Sequence, residues 1–246
     1  MQTARIINLR DRNIDMLKRD LLLKNPLSEF GFTTDDIISD AGFGAVLARA
    51  GVGKTAFLVQ LALNSMLRGA NVLHVSMYDP VDKVALWYKE LFQRLAQQYQ
   101  VEQITKLWES ILPHRFIMTF MIDDFNVPKF KERLTDLTEQ NIFHPHVIFV
   151  DGLHFDESVR EHLIDLKDLA IQHSFHIWFS VHIHRHQEPG PDGTPIPLMH
   201  TYDLFDVALK LQPEDTEVHI EMLKGRAPSL KKGPIIMDSS TMLIKE

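Results

Sequence analysis

From Gly44 onward, short uninterrupted apolar runs alternate with longer stretches in which apolar residues recur every three or four positions. Gly44–Ala48 reads as a strand. A glycine-rich turn and a helix from Lys54 to Arg68 follow, with Gly69 placed to end the helix. The same rhythm predicts strands over Asn71–Ser76, Arg115–Ile122, Val147–Val150 and His176–His182. The intervening helices fall at Val81–Gln100, Pro128–Gln140 and Val159–His173. Strands alternating with helices at this spacing predict an α/β fold, a mostly parallel sheet with helices on both faces. The rhythm then breaks at residues 187–200, a Pro/Gly-rich loop. Beyond it, Val207–Gln212 and Glu217–Leu223 read as an antiparallel hairpin closing the sheet at its edge. Ile235–Met237 and Met242–Ile244 are candidates for a second hairpin. Ahead of Gly44, Ile14, Leu17 and Leu21 fit helical spacing in part, and Pro26, Gly31 and Asp35-Asp36 read as a linker. The expected organisation is an N-terminal helical extension and linker over residues 1–40 and one α/β domain over 41–246.

Composition narrows the classes. The 246 residues are 45% hydrophobic and 24% charged, enough apolar side chain for one sizeable core and unlike disordered, collagenous or coiled-coil chains. The absence of cysteine removes disulfides and thiolate chemistry. A formal net charge of −7 argues against coating duplex DNA through bulk charge. No apolar run approaches the roughly 20 residues of a spanning helix, and the first residues carry no signal-peptide core, so a soluble, cytoplasmic protein without a membrane partner is expected.

The sharpest chemical signal is Ala48-Arg49-Ala50-Gly51-Val52-Gly53-Lys54-Thr55, between an apolar strand and a helix. It fits the P-loop pattern with Ala in the first glycine position. Gly51 and Gly53 let the backbone wrap a phosphate chain, and the helix start at Thr55 and Ala56 adds its positive end. Lys54 can reach the β- and γ-phosphates, and Thr55 can ligate Mg²⁺. His146–Val150 leads into Asp151, a carboxylate at a strand end, where it can hold the same Mg²⁺. The bland alternatives are a chance glycine turn and a helix-capping Asp. ATP with Mg²⁺ is the expected ligand, since no guanine-reading motif accompanies the loop.

The order of P-loop, Asp151 strand, His182 strand and late hairpin resembles the RecA-like ATPases over about residues 40–240. It is most similar to the motor domain of DnaB-type replicative helicases and to KaiC-like proteins. The resemblance implies a three-layer P-loop domain with ATP bound between subunits of a homo-oligomer. Phe179–Arg185 looks like the family's sensor strand, with His182 where the helicases usually have Gln and facing the γ-phosphate. Lys224-Gly225-Arg226 looks like their Lys-x-Arg element, which implies that Lys224 and Arg226 act on a neighbouring subunit's nucleotide. The family's water-activating Glu is replaced by Tyr78, leaving Asp79 as the candidate base and slow hydrolysis as an expectation. A rival resemblance is to the MinD/ParA ATPases, with Arg49 in the place of their second Lys. It is weakened because Gly152-Leu153-His154 follows Asp151 where that family has Thr-x-Pro. Three functional classes remain: an ATP-controlled assembly switch, a nucleic-acid motor and a small-molecule kinase. The 187–200 loop carries no Lys, and no Arg, for a single strand, although single-strand binding stays possible. No arginine-rich lid suggests a kinase. Alternating His182, His184 and His186 can share a strand face and bind a transition metal, though a sensor residue with loop neighbours explains them as well. Trp87, Tyr88 and Trp108 read as packing residues.

Overall fold

The computed structural model describes residues 14–19, 21–22, 38, 41–101, 103–121, 125–184, 190, 193–225 and 235–245. Its strands are β1 (Phe43–Ala48), β2 (Val72–Ser76), β3 (Arg115–Thr119), β4 (Val147–Asp151), β5 (His176–His182), β6 (Val207–Glu214), β7 (Glu217–Lys224) and β8 (Ile235–Asp238). The helices are α1 (Lys54–Leu67), α2 (Val81–Gln98), α3 (Ile104–Ile111), α4 (Val127–Glu139) and α5 (Val159–His173). All eight strands join one sheet in the order β3-β2-β4-β5-β1-β6-β7-β8. β3 through β6 in that order run parallel, and β7 pairs antiparallel with both β6 and β8.

Strand side chains alternate between the two faces. In β1, Val46 and Ala48 enter one core, and Phe43, Ala45 and Leu47 enter the other. The first core is covered by α1, α2 and α3, and the second by α4 and α5. The chain is therefore a sheet with helices on both faces, as the alternating pattern predicts.

Helix α1 is apolar nearly all round, because it is wrapped nearly all round. The C-terminal segment crosses its outer side: Gln60 Nε2 donates to the Met242 carbonyl at 2.7 Å, and Ile244 N–H donates to Gln60 Oε1 at 3.2 Å. Leu21, with no exposed surface, packs into the same core together with Ile14 and Leu17 of the helical residues 14–19. Asn126 caps α4 by accepting the Lys129 N–H at 2.9 Å, and Pro128 fits the first turn, where no N–H is needed.

Three differences from the sequence reading have physical causes. β6 does not close the edge: before it turns into the hairpin it pairs in parallel with β1, and β8 forms the edge instead. The hairpin strands run on to Glu214 and Glu217, so the turn shrinks to Asp215-Thr216, with Asp215 at φ 51°. Met242–Ile244 is not a strand, because it turns to bond with α1 and keeps only a bridge from Ile244 to Met237. The helix α3 carries Trp108, which packs on Phe92. The linker over 25–37, most of the 187–192 loop, His186 and Arg226 lie outside the described residues. No helix among those described is long and apolar enough to cross a membrane.

Candidate functional site

The carboxyl ends of β1, β2, β4 and β5 open on a cleft of about 580 Å³. Parallel strands place such a crevice where their helices peel away to opposite faces. On one side lies the glycine-rich loop. Gly53 precedes α1 with φ 109° and ψ 24°, a left-handed conformation that a side chain resists, and Met237 and Met242 sit 3.0–3.1 Å from where its Cβ would be. The turn brings Lys54 back over the loop, where Nζ donates to the Ala48 and Arg49 carbonyls at 3.1 and 3.0 Å. Burial lowers the Lys54 pKa, and the nearby Asp151 charge opposes that shift. Arg49 itself is exposed and borders a second cavity of about 250 Å³ beside Lys210 and Ile196. Ala50 lines the main cleft, Val52 packs on the core, and Ala56 is buried in the first turn of α1.

Opposite the loop, β4 ends in Asp151, which gathers two hydroxyls. Thr55 Oγ1 donates to its Oδ2 at 2.6 Å, and Ser180 Oγ donates to its Oδ1 at 2.5 Å. Ser180 in turn accepts the Gly152 N–H at 2.9 Å. Two sequence-predicted ligands thus meet in one hydrogen bond although 96 residues separate them. β5 makes this possible by lying between β1 and β4, with His182 in register with Ala48 at the start of the loop. His182 lies at the exposed end of β5 and lines the cleft. Its pKa is lowered by loss of solvent, then by the Lys54, His184 and His154 charges. The His182 and His184 rings meet edge to face at 4.7 Å, and no group of three or more metal-ligating residues occurs among the described residues.

Other predicted residues are placed as follows. Asp79 borders the cleft, but its Oδ1 accepts from Lys83 Nζ at 2.8 Å, one turn on in α2. Lys224 does not line the cleft. Its Nζ donates to the Tyr202 carbonyl at 2.7 Å and lies 4.9 Å from the Tyr202 ring centre. Sequence reading overlooked Ser180, although it lies two residues before His182 on an alternating strand and so shares its face. It named Tyr78 and His154 only as departures from family patterns and gave no role to their side chains, which meet at 2.6 Å, nor to the segment 196–201 on the far wall. That segment is fixed by Arg160, which donates to the His200 carbonyl at 2.6 Å and bidentately to Asp203 at 2.7 and 2.8 Å. Thr201 lines the cleft, and its buried Oγ1 has no hydrogen-bond partner among the described residues. The contacts of Tyr78, His154 and Arg160 have no local signature, because they join segments far apart in the chain.

No protein-family model matches the chain, and no curated protein matches it.

Proposed function

We propose that the protein is a RecA-like P-loop ATPase that binds Mg-ATP in the cleft at the end of β1. The observation that carries this reading is the 2.6 Å bond from Thr55 to Asp151 beside the loop that holds Lys54. A hydroxyl and a carboxylate are hard oxygen donors suited to Mg²⁺, which keeps several of its own waters and needs few protein ligands. Bound there, Mg²⁺ supplies charge neutralisation at the β- and γ-phosphates. Lys54 spends its hydrogen bonds on two loop carbonyls and can exchange them for phosphate oxygens without unfolding anything. The loop amides and the start of α1 add their positive dipole ends. The RecA-like form of the reading is favoured over the MinD/ParA form by β5, which lies between β1 and β4 and carries His182 to the loop.

Asp79 is engaged with Lys83, which is in keeping with slow turnover and a nucleotide-dependent assembly switch. In such an assembly ATP lies at a subunit interface. Lys224 reaches a neighbour only by leaving Tyr202, while Arg226 lies outside the described residues. Titration of ATP with and without Mg²⁺, on the wild type, Lys54→Ala and Asp151→Asn, tests the site. Mg²⁺-dependent binding in the wild type, weakened in both variants, is expected. Equal affinity in all three proteins discards the reading. Light scattering in the same titrations tests assembly, and a mass unchanged by Mg-ATP removes the switch.

A further inference from the structure

Hydrolysis of a bound nucleotide needs a group that takes a proton from the attacking water, and the cleft offers carboxylates and imidazoles for it. Three of the carboxylates carry hydrogen-bond partners, although the Asp79 pair is exposed. Asp151 accepts from Thr55 and Ser180, and Asp79 from Lys83. Asp156 accepts from Ser158 N–H and Oγ at 2.8 and 2.6 Å, and Glu157 is exposed, as His154 is. Among the imidazoles, His184 packs edge-on to His182, which faces Lys54, while His200 lies on the far wall.

His154 differs from these in being joined to a tyrosine whose ring rests on the neighbouring backbone. Tyr78 OH lies 2.6 Å from His154 Nε2. The Tyr78 ring lies against Gly152, so closely that a Cβ there would fall 2.4 Å from ring Cδ2 and 2.5 Å from Cε2. Gly152 has φ 98°, so both the backbone and the ring contact exclude a side chain at this position. The end of β2 and the loop after β4 are thereby joined through one aromatic side chain, which is 60% exposed and rests on the Gly152 backbone.

We propose that His154 is the general base that takes the proton of the attacking water, with Tyr78 as its positioning residue. This rests on the Mg-ATP reading given above. With Nε2–H donated to the phenol oxygen, Nδ1 keeps a lone pair for the cleft. As the water oxygen bonds to the γ-phosphorus, its proton passes to Nδ1. The bond from that phosphorus to the β–γ bridging oxygen breaks, and ADP leaves with the electron pair. The imidazolium, stabilised by the Tyr78 oxygen, then returns its proton to solvent. The arrangement places a base–orienter pair where a lone carboxylate is otherwise expected.

The test is the pH dependence of steady-state ATP hydrolysis by the full chain, with Mg-ATP affinity measured in parallel. The wild-type kcat is expected to fall on the acid side, in the range where imidazoles protonate. His154→Gln is expected to lower kcat about a hundredfold, the usual scale of a lost general base, and to abolish the acid limb with affinity unchanged. Tyr78→Phe is expected to lower kcat less and to move the acid limb to lower pH, because the imidazolium loses its acceptor. A loss of local packing alone would leave the limb in place. His182→Gln is expected to retain the limb. The assignment is overturned if the limb survives in His154→Gln, or if wild-type protein binds Mg-ATP without turning it over. It is equally overturned if Glu157→Gln or Asp79→Asn stops hydrolysis while His154→Gln does not. Wild-type protein that fails to bind Mg-ATP overturns the nucleotide reading as well, a result distinguishable from the others.

Discussion

Two polar clusters lie close together in the same sheet and are built in opposite ways. At the end of β4, Asp151 faces the cleft with both carboxylate oxygens taken by hydroxyls, those of Thr55 and Ser180. On β2, two residues before Ser76, His74 is fully buried under α2. Its Nδ1 meets Tyr88 OH at 3.1 Å, and Arg115 lies 4.9 Å from the Tyr88 ring centre. His74 Nε2 and Arg115 Nη1 find no hydrogen-bond partner among the described residues. The first cluster has partners that ligands can replace. The second is closed, and burial makes its histidine neutral, with a pKa lowered to about 4. Position along the strand decides which kind arises. A polar group at a strand's carboxyl end meets loops and solvent, and one in mid-strand meets only the next layer.

Acid sharpens this contrast most. The folded pKa of His74 lies below its ordinary value of 6.5, so the unfolded chain binds more protons between about pH 6.5 and 4. Stability from this group is complete above that window and is lost as pH falls through it, by about 3 kcal/mol in all. Urea unfolding at pH 7 and pH 4.5 should show the loss, and the double variant His74→Leu/Tyr88→Phe should lose less. An equal loss in that variant would place the acid sensitivity elsewhere.

In the open cluster, Lys54→Ala should weaken Mg-ATP binding by about 10- to 100-fold, the scale of a lost charge-assisted hydrogen bond. It should leave the unfolding midpoint nearly unchanged, since Lys54 bonds only two loop carbonyls. A parallel fall in stability would mean that the loop needs Lys54 to fold. Ser180→Ala should cost about 1 kcal/mol of stability, measured by urea unfolding, because both Asp151 Oδ1 and the Gly152 N–H lose their partner. No change would show that water replaces the hydroxyl. The smallest effect is expected for Lys83→Ala, below about 0.5 kcal/mol, since an exposed pair one helical turn apart is weak. A larger loss would move Asp79 and Lys83 into the structural class represented by His74.

The two clusters were not equally legible. Thr55 and Asp151 could be named from the sequence because each has a local signature, a glycine turn before a helix and a carboxylate ending an apolar strand. Tyr88 could be assigned to packing from its helix, but its hydrogen bond to His74 has no local signature. Ser180 was within reach through alternation with His182. The Tyr78–His154 pair was not, because it depends on Gly152 letting one loop's ring settle on another loop's backbone.

The sequence by itself determined the strand–helix rhythm, the element types from β1 to β7 except the helix α3, and the glycine turn that leads into Lys54. These follow from residue periodicity and backbone preferences that act over a few positions. Only the tertiary structure decided that β5 inserts between β1 and β4, that β6 joins β1 in parallel, and that Met242–Ile244 folds over Gln60. It also set the partners of Asp79 and Lys224, each held within its own chain. Strand order is a choice among pairings of similar local cost, made by which arrangement buries both faces of the sheet at once. That choice depends on the whole chain and cannot be read from any window of it.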